Sequence, residues 1–151
     1  PGYVDVSLRN AIDRGLIPGP RMLVATVALG STGGHADDTT GFSPDIHFGG
    51  ATGVTDGVDA VRARVREDVK RGADVIKFMA SAGVLSNEAS VGAPQYTQAE
   101  MDAIVDEAHR WGKKVAAHAH VIYCPGTSLP RFCWCILPGF IFLQKVVTHF
   151  V

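Results

Sequence analysis

Hydrophobic positions follow two alternating spacings along the first 120 residues. In three segments apolar residues recur at steps of three and four, and a short continuous apolar run follows each segment. The first spacing is typical of amphipathic helices and the second of strands covered on both faces. The helices are predicted at 5–14, between Asp56 and Gly72, and between Thr97 and Gly112; the strands are predicted at 21–26, 74–80 and 113–120. Helix and strand therefore alternate, which predicts parallel strands joined by right-handed crossovers.

The helix ends carry residues that favour capping. Asp5 and Asp56 are expected to cap the first two helices, and Thr97 with Glu100 forms the capping-box pattern of the third. A glycine follows each helix, where a left-handed residue commonly ends it. The predicted apolar stripe of the third helix comprises Met101, Ile104, Val105, Ala108 and Trp111.

The connections between elements differ in length. Helix-to-strand turns are very short, whereas the strand-to-helix connections run over 27–55 and 81–96 and are rich in glycine. Long loops at the carboxyl ends of parallel strands are where α/β proteins, and barrels in particular, build their active sites. A functional site is expected there.

Charge and cysteine content narrow the function classes. The chain has 14 basic and 15 acidic residues, which gives no basic surplus for nucleic acid or an anionic membrane. Its three cysteines all follow residue 120, and no pattern of a signal peptide opens the sequence. We therefore expect a cytoplasmic protein, without a nucleic-acid partner and without a membrane span.

Lys77 lies in the middle of the apolar strand DVIKFMA. A buried ammonium without compensation is costly, so this lysine should be paired, neutral or chemically altered. It either reaches solvent or pairs with an acid, or it serves chemistry as a Schiff base or a metal-binding carbamate. The strand alone leaves these alternatives open.

Three histidines occupy strand tips and loops. His118 and His120 are two residues apart on the third predicted strand and therefore point the same way. Such a pair suits zinc or another divalent metal, but it also occurs as ordinary core or surface histidines. His35 lies in the glycine-rich loop STGGHADD, either as a contact for substrate or metal or as part of a solvated turn.

Four stretches of residues 3–120 together resemble the amidohydrolase superfamily, in its imidazolonepropionase-like and Xaa-Pro or Xaa-Arg dipeptidase branch. They are LRNAIDRGLIPGPRMLVA, STGGHADD, DVIKFMASAGVLS and YTQAEMDAIVDEAHRWGKKVAAHAH. The resemblance implies a (β/α)8 TIM-type barrel with one or two divalent metal ions, usually zinc, in which water attacks an amide or related C–N bond. About three βα cycles are legible where a complete barrel needs ~250 residues, so an incomplete barrel segment is expected.

The resemblance also implies roles for individual residues. Lys77 matches the family's carbamylated lysine that bridges metal ions, and His118 matches a metal histidine of the following strand. His120 lies beside that ligand and is expected to contact substrate, and His35 matches an active-site loop histidine. The implied cofactors are zinc and a carbamate derived from CO2 on Lys77.

Residues 121–151 do not continue the family pattern. This segment contains no acidic residue, all three cysteines and half of the aromatic residues, so the chain is divided into a partial barrel, 1–120, and an atypical hydrophobic tail. A frame change or fusion after His120 would explain the tail. A zinc site of Cys124, Cys133, Cys135 and His149, or a segment that mediates oligomerisation or contacts a membrane surface, are the alternatives.

The sequence thus predicts a metal-dependent hydrolase that acts on a small amide, dipeptide or cyclic amide. A histidine pair on an N-terminal strand, a histidine on a sixth strand and a late-strand aspartate, all expected from the resemblance, have no counterpart in the printed sequence. The alternative is therefore a catalytically incomplete fragment or interaction module. Homo-oligomerisation stays open, and a Schiff-base aldolase that uses Lys77 is a third interpretation.

Overall fold

The structure is a computed structural model, and it describes residues 3–46, 52–83, 92–119 and 140–142. His120 and nearly all of the tail 121–151, including its cysteines and His149, lie outside the described residues. Predictions about them stay predictions.

Three helices and three strands make up the described secondary structure. They are α1 (Val4–Asp13), α2 (Val58–Arg71), β1 (Val75–Met79), α3 (Gln98–Arg110), β2 (Lys114–His118) and β3 (Phe140–Phe142). The strands form one parallel sheet in the order β1-β2-β3. The predicted alternation of helices and parallel strands is therefore confirmed for β1, α3 and β2, whereas β3 was not predicted.

The predicted strand at 21–26 is wrong as a continuous element. The carbonyl oxygen of Val24 accepts hydrogen bonds from the backbone of Asp74 and Val75, and Leu29 then forms a single parallel bridge with Phe78. Between these two points Thr26 has a left-handed φ of 61°, which interrupts an extended chain. The segment thus lies beside β1 and forms its backbone contacts with that region at Val24 and Leu29, on either side of Thr26.

Two of the three predicted N-terminal caps are also wrong. The N-cap positions of α1 and α2 are Tyr3 and Gly57, and neither makes a side-chain capping bond. The Asp5 carboxylate instead accepts a hydrogen bond from the Thr26 amide, and Asp56 accepts from the backbone and hydroxyl of Thr32. Both aspartates therefore hold distant loops rather than their own helices.

The capping box of α3 is confirmed. The Thr97 hydroxyl accepts a hydrogen bond from the Glu100 backbone, and the Glu100 carboxylate accepts from the Thr97 backbone. Glu100 also accepts a hydrogen bond of 2.7 Å from the Gly57 amide, at the start of α2. The cap therefore ties the first turns of the two helices together.

The core lies between the sheet and helices α2 and α3. Its largest fully buried apolar side chains are Leu29, Val61, Val65, Ile76, Phe78, Ile104 and Val115. In β1, Ile76 and Phe78 are buried in this core. The alternate residues Val75, Lys77 and Met79 are half-buried on the other face. The packing fixes the face on which Lys77 projects.

Trp111 is an exception to the predicted stripe of α3. It stands at the C-cap, half exposed, and its indole nitrogen donates to Glu107. Glu107 itself is buried, because the guanidinium groups of Arg62 and Arg66 cover its carboxylate. Glu107 is therefore a buried charged residue of α3, which the apolar pattern of the sequence did not predict.

The described residues form a small α/β segment with parallel strands. They do not themselves show a closed barrel, so the TIM-type barrel stays a prediction. None of the helices described is long and apolar enough to cross a membrane.

Candidate functional site

Lys77 and His118 project from one face of the sheet. β1 and β2 are parallel, with Lys77 opposite Ala116 and Met79 opposite His118. Side chains that are opposite one another, or two residues apart on one strand, share a face. This face is the one turned away from α2 and α3, and His118 is the last residue of β2.

The environment of Lys77 lowers the pKa of its amine. The cause is burial, which disfavours the charged form. Within the ranges that the structure describes, Lys77 takes part in no ion pair with an acidic side chain. The alternative in which a carboxylate neutralises this lysine therefore has no support among those residues.

His35 packs against His118. The two imidazole rings are stacked, with centroids 4.7 Å apart and an interplanar angle of 26°. The loop after Leu29 thus folds over the carboxyl end of β2, where long loops of α/β proteins gather. Of the four predicted site residues, Lys77 and His118 thus share a face of the sheet and His35 contacts His118, whereas His120 is not described.

Two consecutive turns present His35. The Gly34 amide donates to the Ser31 carbonyl, and the Asp37 amide donates to the Gly34 carbonyl. The carboxylate of Asp37 accepts from the Gly33 amide and from the hydroxyl of Thr39. The hydrogen bond from Thr39 is the main cause that lowers the pKa of Asp37. Asp37 therefore serves the loop conformation.

Two residues near His35 escaped the sequence analysis. The side-chain oxygen of Gln95 accepts a hydrogen bond of 3.0 Å from the His35 amide, and Gly83 lies directly against the His35 ring. Both belong to the loop that follows β1. A polar residue and a glycine in a long loop carry no periodic signal, so only the folded arrangement reveals them.

The residues around this site fit part of a metal donor set. A lysine with a lowered pKa and an imidazole on the same face are of the right chemistry for a carbamate and a nitrogen ligand. Across residues 3–46, 52–83, 92–119 and 140–142, however, no group of three or more His, Cys, Asp or Glu side chains is placed to hold a metal ion. A complete centre needs donors beyond those described.

The opposite end of the strands carries a different feature. An open groove of about 520 Å³ lies where β1 and β2 begin, beside Asp74 and Lys113. Arg9 from α1 reaches into it and pairs with Asp74. The groove is separate from the end of the sheet at which His35 and His118 stack.

Comparison with known proteins identifies the family. The model described as "Amidohydrolase family" matches residues 2–123. The chain belongs to the amidohydrolase family. This confirms the resemblance found in the sequence. The match includes Lys77, His118, His35 and His120.

Relatives of this amidohydrolase segment are considerably longer than the chain. Ochratoxinase of Aspergillus niger is 37% identical over 124 residues, which cover 74% of this chain and 26% of that protein. A crystal structure of a Xaa-Pro dipeptidase with bound methionine is 45% identical with a TM-score of 0.73, and the match covers 79% of this chain and 30% of the other. A prolidase complexed with N-methylphosphonate-L-proline is 39% identical with a TM-score of 0.65, over 76% and 30% of the two chains. The chain thus spans less than a third of each of these relatives.

Proposed function

We propose that this chain carries part of the active site of a metal-dependent amidohydrolase that cleaves the C–N bond of a small amide or dipeptide. The observation that carries the proposal is the shared sheet face of Lys77 and His118, with His35 stacked on the latter. Family membership supports hydrolysis as the reaction class. The metal dependence and the roles of the residues are the proposal.

Lys77 would act as a carbamate. Because burial lowers its pKa, more of the amine is neutral at a given pH than for an exposed lysine. The neutral nitrogen would attack the carbon of CO2: an N–C bond forms as one C=O π bond opens, the nitrogen loses a proton to solvent, and one negative charge is shared by the two carbamate oxygens. These oxygens would be the anionic ligands for one or two divalent ions, and the bound ions would in turn compensate the half-buried negative charge.

His118 would supply a nitrogen ligand from the tip of β2. A bound ion, zinc by family resemblance, would lower the pKa of a coordinated water molecule and polarise the scissile carbonyl. His35 stacks on the His118 ring, and we infer that it limits the orientation of that ring and contacts the substrate. His120 is proposed to contact substrate beside His118.

The first substrates to test are dipeptides with a C-terminal proline. Two of the solved relatives are named as a Xaa-Pro dipeptidase and a prolidase, and the second binds a proline derivative. N-acyl amino acids and small cyclic amides extend the panel, since the reaction class requires only an accessible C–N bond. A liquid-chromatography assay of the released amino acid measures hydrolysis of each compound.

The test uses the 151-residue chain loaded with zinc and bicarbonate. We expect measurable release of amino acid from at least one compound, reduced to the uncatalysed rate by Lys77→Ala. His109, exposed on α3, provides a matched control, and His109→Ala should keep the full rate. Hydrolysis that exceeds the uncatalysed rate and is equal in the unsubstituted chain and Lys77→Ala would contradict the proposed role of the lysine.

A second candidate is that this chain is a catalytically incomplete fragment or an interaction module. It is favoured by the 26% to 30% coverage of the relatives and by the lack of a three-residue metal cluster among the described side chains. A folded, zinc-loaded chain that hydrolyses none of the panel would support this candidate. Reduction with borohydride in the presence of a carbonyl substrate tests the third interpretation, a Schiff-base aldolase. Covalent trapping of the substrate on Lys77 would support it, because borohydride reduces a Schiff base to a stable amine.

A further inference from the structure

We propose that the loop after β1 positions the imidazole of His35, with Gln95 as the positioning residue and Gly83 as the surface on which the ring lies. The inference rests on the proposed function only in taking the His35 ring to face the reacting centre. The geometry itself concerns contacts between two loops that are far apart in sequence.

Gln95 fixes the backbone of His35. Its side-chain oxygen accepts the His35 amide hydrogen at 3.0 Å, which gives that N–H a partner between the two turns of the loop. A carbon atom added at Gly34 would lie 2.9 Å from the same oxygen, so the amide group packs closely against the loop. A side chain without an oxygen at this point would leave the His35 amide without this acceptor.

Gln95 is itself held on both sides. Its backbone N–H donates a hydrogen bond of 3.1 Å to the carbonyl of Ala80, the residue that follows β1. The next residue, Tyr96, is buried, and its hydroxyl donates to the carbonyl of Thr55. The side chain that contacts His35 therefore projects from a backbone anchored to the sheet, which is what a positioning residue requires.

Gly83 leaves room for the His35 ring. A Cβ atom at this position would lie 2.1 Å from Cε1 and 2.3 Å from Nδ1 of His35, well inside any permitted contact. The φ angle of Gly83 is not in the left-handed region, so space and not backbone conformation accounts for the glycine. An alanine would keep the local backbone and displace the ring.

The ring therefore has two fixed neighbours, Gly83 and His118, and a fixed backbone. An imidazole whose backbone is held by a hydrogen bond and whose ring contacts both neighbours has few rotamers left. Such restraint keeps a side chain within the narrow geometry that catalysis needs. Gln95 and Gly83 act through His35 and need not touch substrate.

The test measures the contact between the two rings by NMR. In the 151-residue chain, labelled at histidine, we expect a nuclear Overhauser cross-peak between ring protons of His35 and His118, assigned by loss of each partner's signals in His35→Asn and His118→Asn. Gln95→Met removes the amide acceptor at similar length and should abolish the cross-peak. Gln95→Glu keeps an oxygen and should restore it. Gln98→Met, the same change on the exposed start of α3, is the matched control.

Gly83→Ala provides a second, independent variant. We expect loss of the same cross-peak with the backbone amide signals of β1 and β2 unchanged. An unchanged cross-peak in both Gln95→Met and Gly83→Ala, or no cross-peak in the unsubstituted chain, would overturn the inference. The readout needs neither metal nor hydrolysis, so a chain that keeps the ring contact but hydrolyses nothing would contradict only the proposed function.

Discussion

Lys77 and His118 extend from the same face of adjacent parallel strands, because Met79, two residues after Lys77, is the register partner of His118. A shift of one residue in this register would send one of the two side chains to the opposite face, under α2 and α3. The register is held by Ile76 and Phe78, which are fully buried on that opposite face. Core packing and the candidate metal centre are therefore set by the same alternation along β1.

The carbamate on Lys77 has a direct spectroscopic test. With ¹³C-labelled bicarbonate and zinc, we expect a carbamate carbon signal from the chain, because the half-buried amine is more readily neutral than an exposed one. Lys77→Arg keeps a positive side chain that cannot form this carbamate and should remove the signal. Lys70, exposed on α2, is the control, and Lys70→Arg should keep it. A signal that survives Lys77→Arg would place the carbamate elsewhere.

The ion pairs of Glu107 make stability dependent on pH. The hydrogen bond from Arg66, with further donors in Trp111 and Arg62, lowers the pKa of Glu107 from 4.5 to about 2. A folded-state pKa below the unfolded value stabilises the protein above pH 4.5, and this contribution is lost as the pH falls towards about 2. Glu107→Gln should therefore lower the urea midpoint at pH 7 and flatten its decline towards pH 3.

The control for this measurement is Asp45→Asn, at an exposed loop position that takes part in no ion pair among the described residues. It should leave the urea midpoint at pH 7 and its acid decline close to those of the unsubstituted chain. An equal urea midpoint and an equal acid decline in Glu107→Gln and Asp45→Asn would contradict the stabilising role of the Glu107 ion pairs.

Truncation of Ile104 tests the core between α3 and the sheet. This side chain is fully buried, so Ile104→Ala removes apolar contacts and leaves a cavity. The expected loss is about 2–5 kcal/mol in the free energy of unfolding, measured with urea. Ile17 is 41% exposed, so Ile17→Ala should cost far less. Equal losses would mean that the packing does not bury Ile104 as described.

Elements with strong local signals were predictable from the sequence. The capping box at Thr97, the glycines that follow the helices and the continuous apolar run around Lys77 each depend on nearby residues, and all three features are confirmed. The predicted strand at 21–26 failed because Thr26 adopts a left-handed conformation while its amide bonds to Asp5, a tertiary contact. A local sequence pattern does not predict a hydrogen-bond partner that comes from a distant element such as α1.

The candidate site also contains features that local sequence signals predict and features that depend on tertiary contacts. Lys77 was predicted as a lysine inside an apolar strand and His118 as a histidine at a strand tip, whereas the register of β1 and β2 reveals that the two share a face of the sheet. The stacking of His35 on His118 and the contacts of Gln95 and Gly83 depend on how two long loops fold over the sheet. Loop conformations depend on many contacts between residues distant in sequence, so hydrophobic periodicity does not predict them.

Zinc content per chain tests the central claim most directly. It is measured by elemental analysis after preparation with zinc and bicarbonate and removal of free metal, for the unsubstituted chain, Lys77→Ala, His118→Ala and the control His109→Ala. We predict bound zinc in the unsubstituted chain and in the control, most of it lost in Lys77→Ala and in His118→Ala, and retention when Cys133 and Cys135 are both replaced by serine. Zinc content that is unchanged in both Lys77→Ala and His118→Ala would contradict the account.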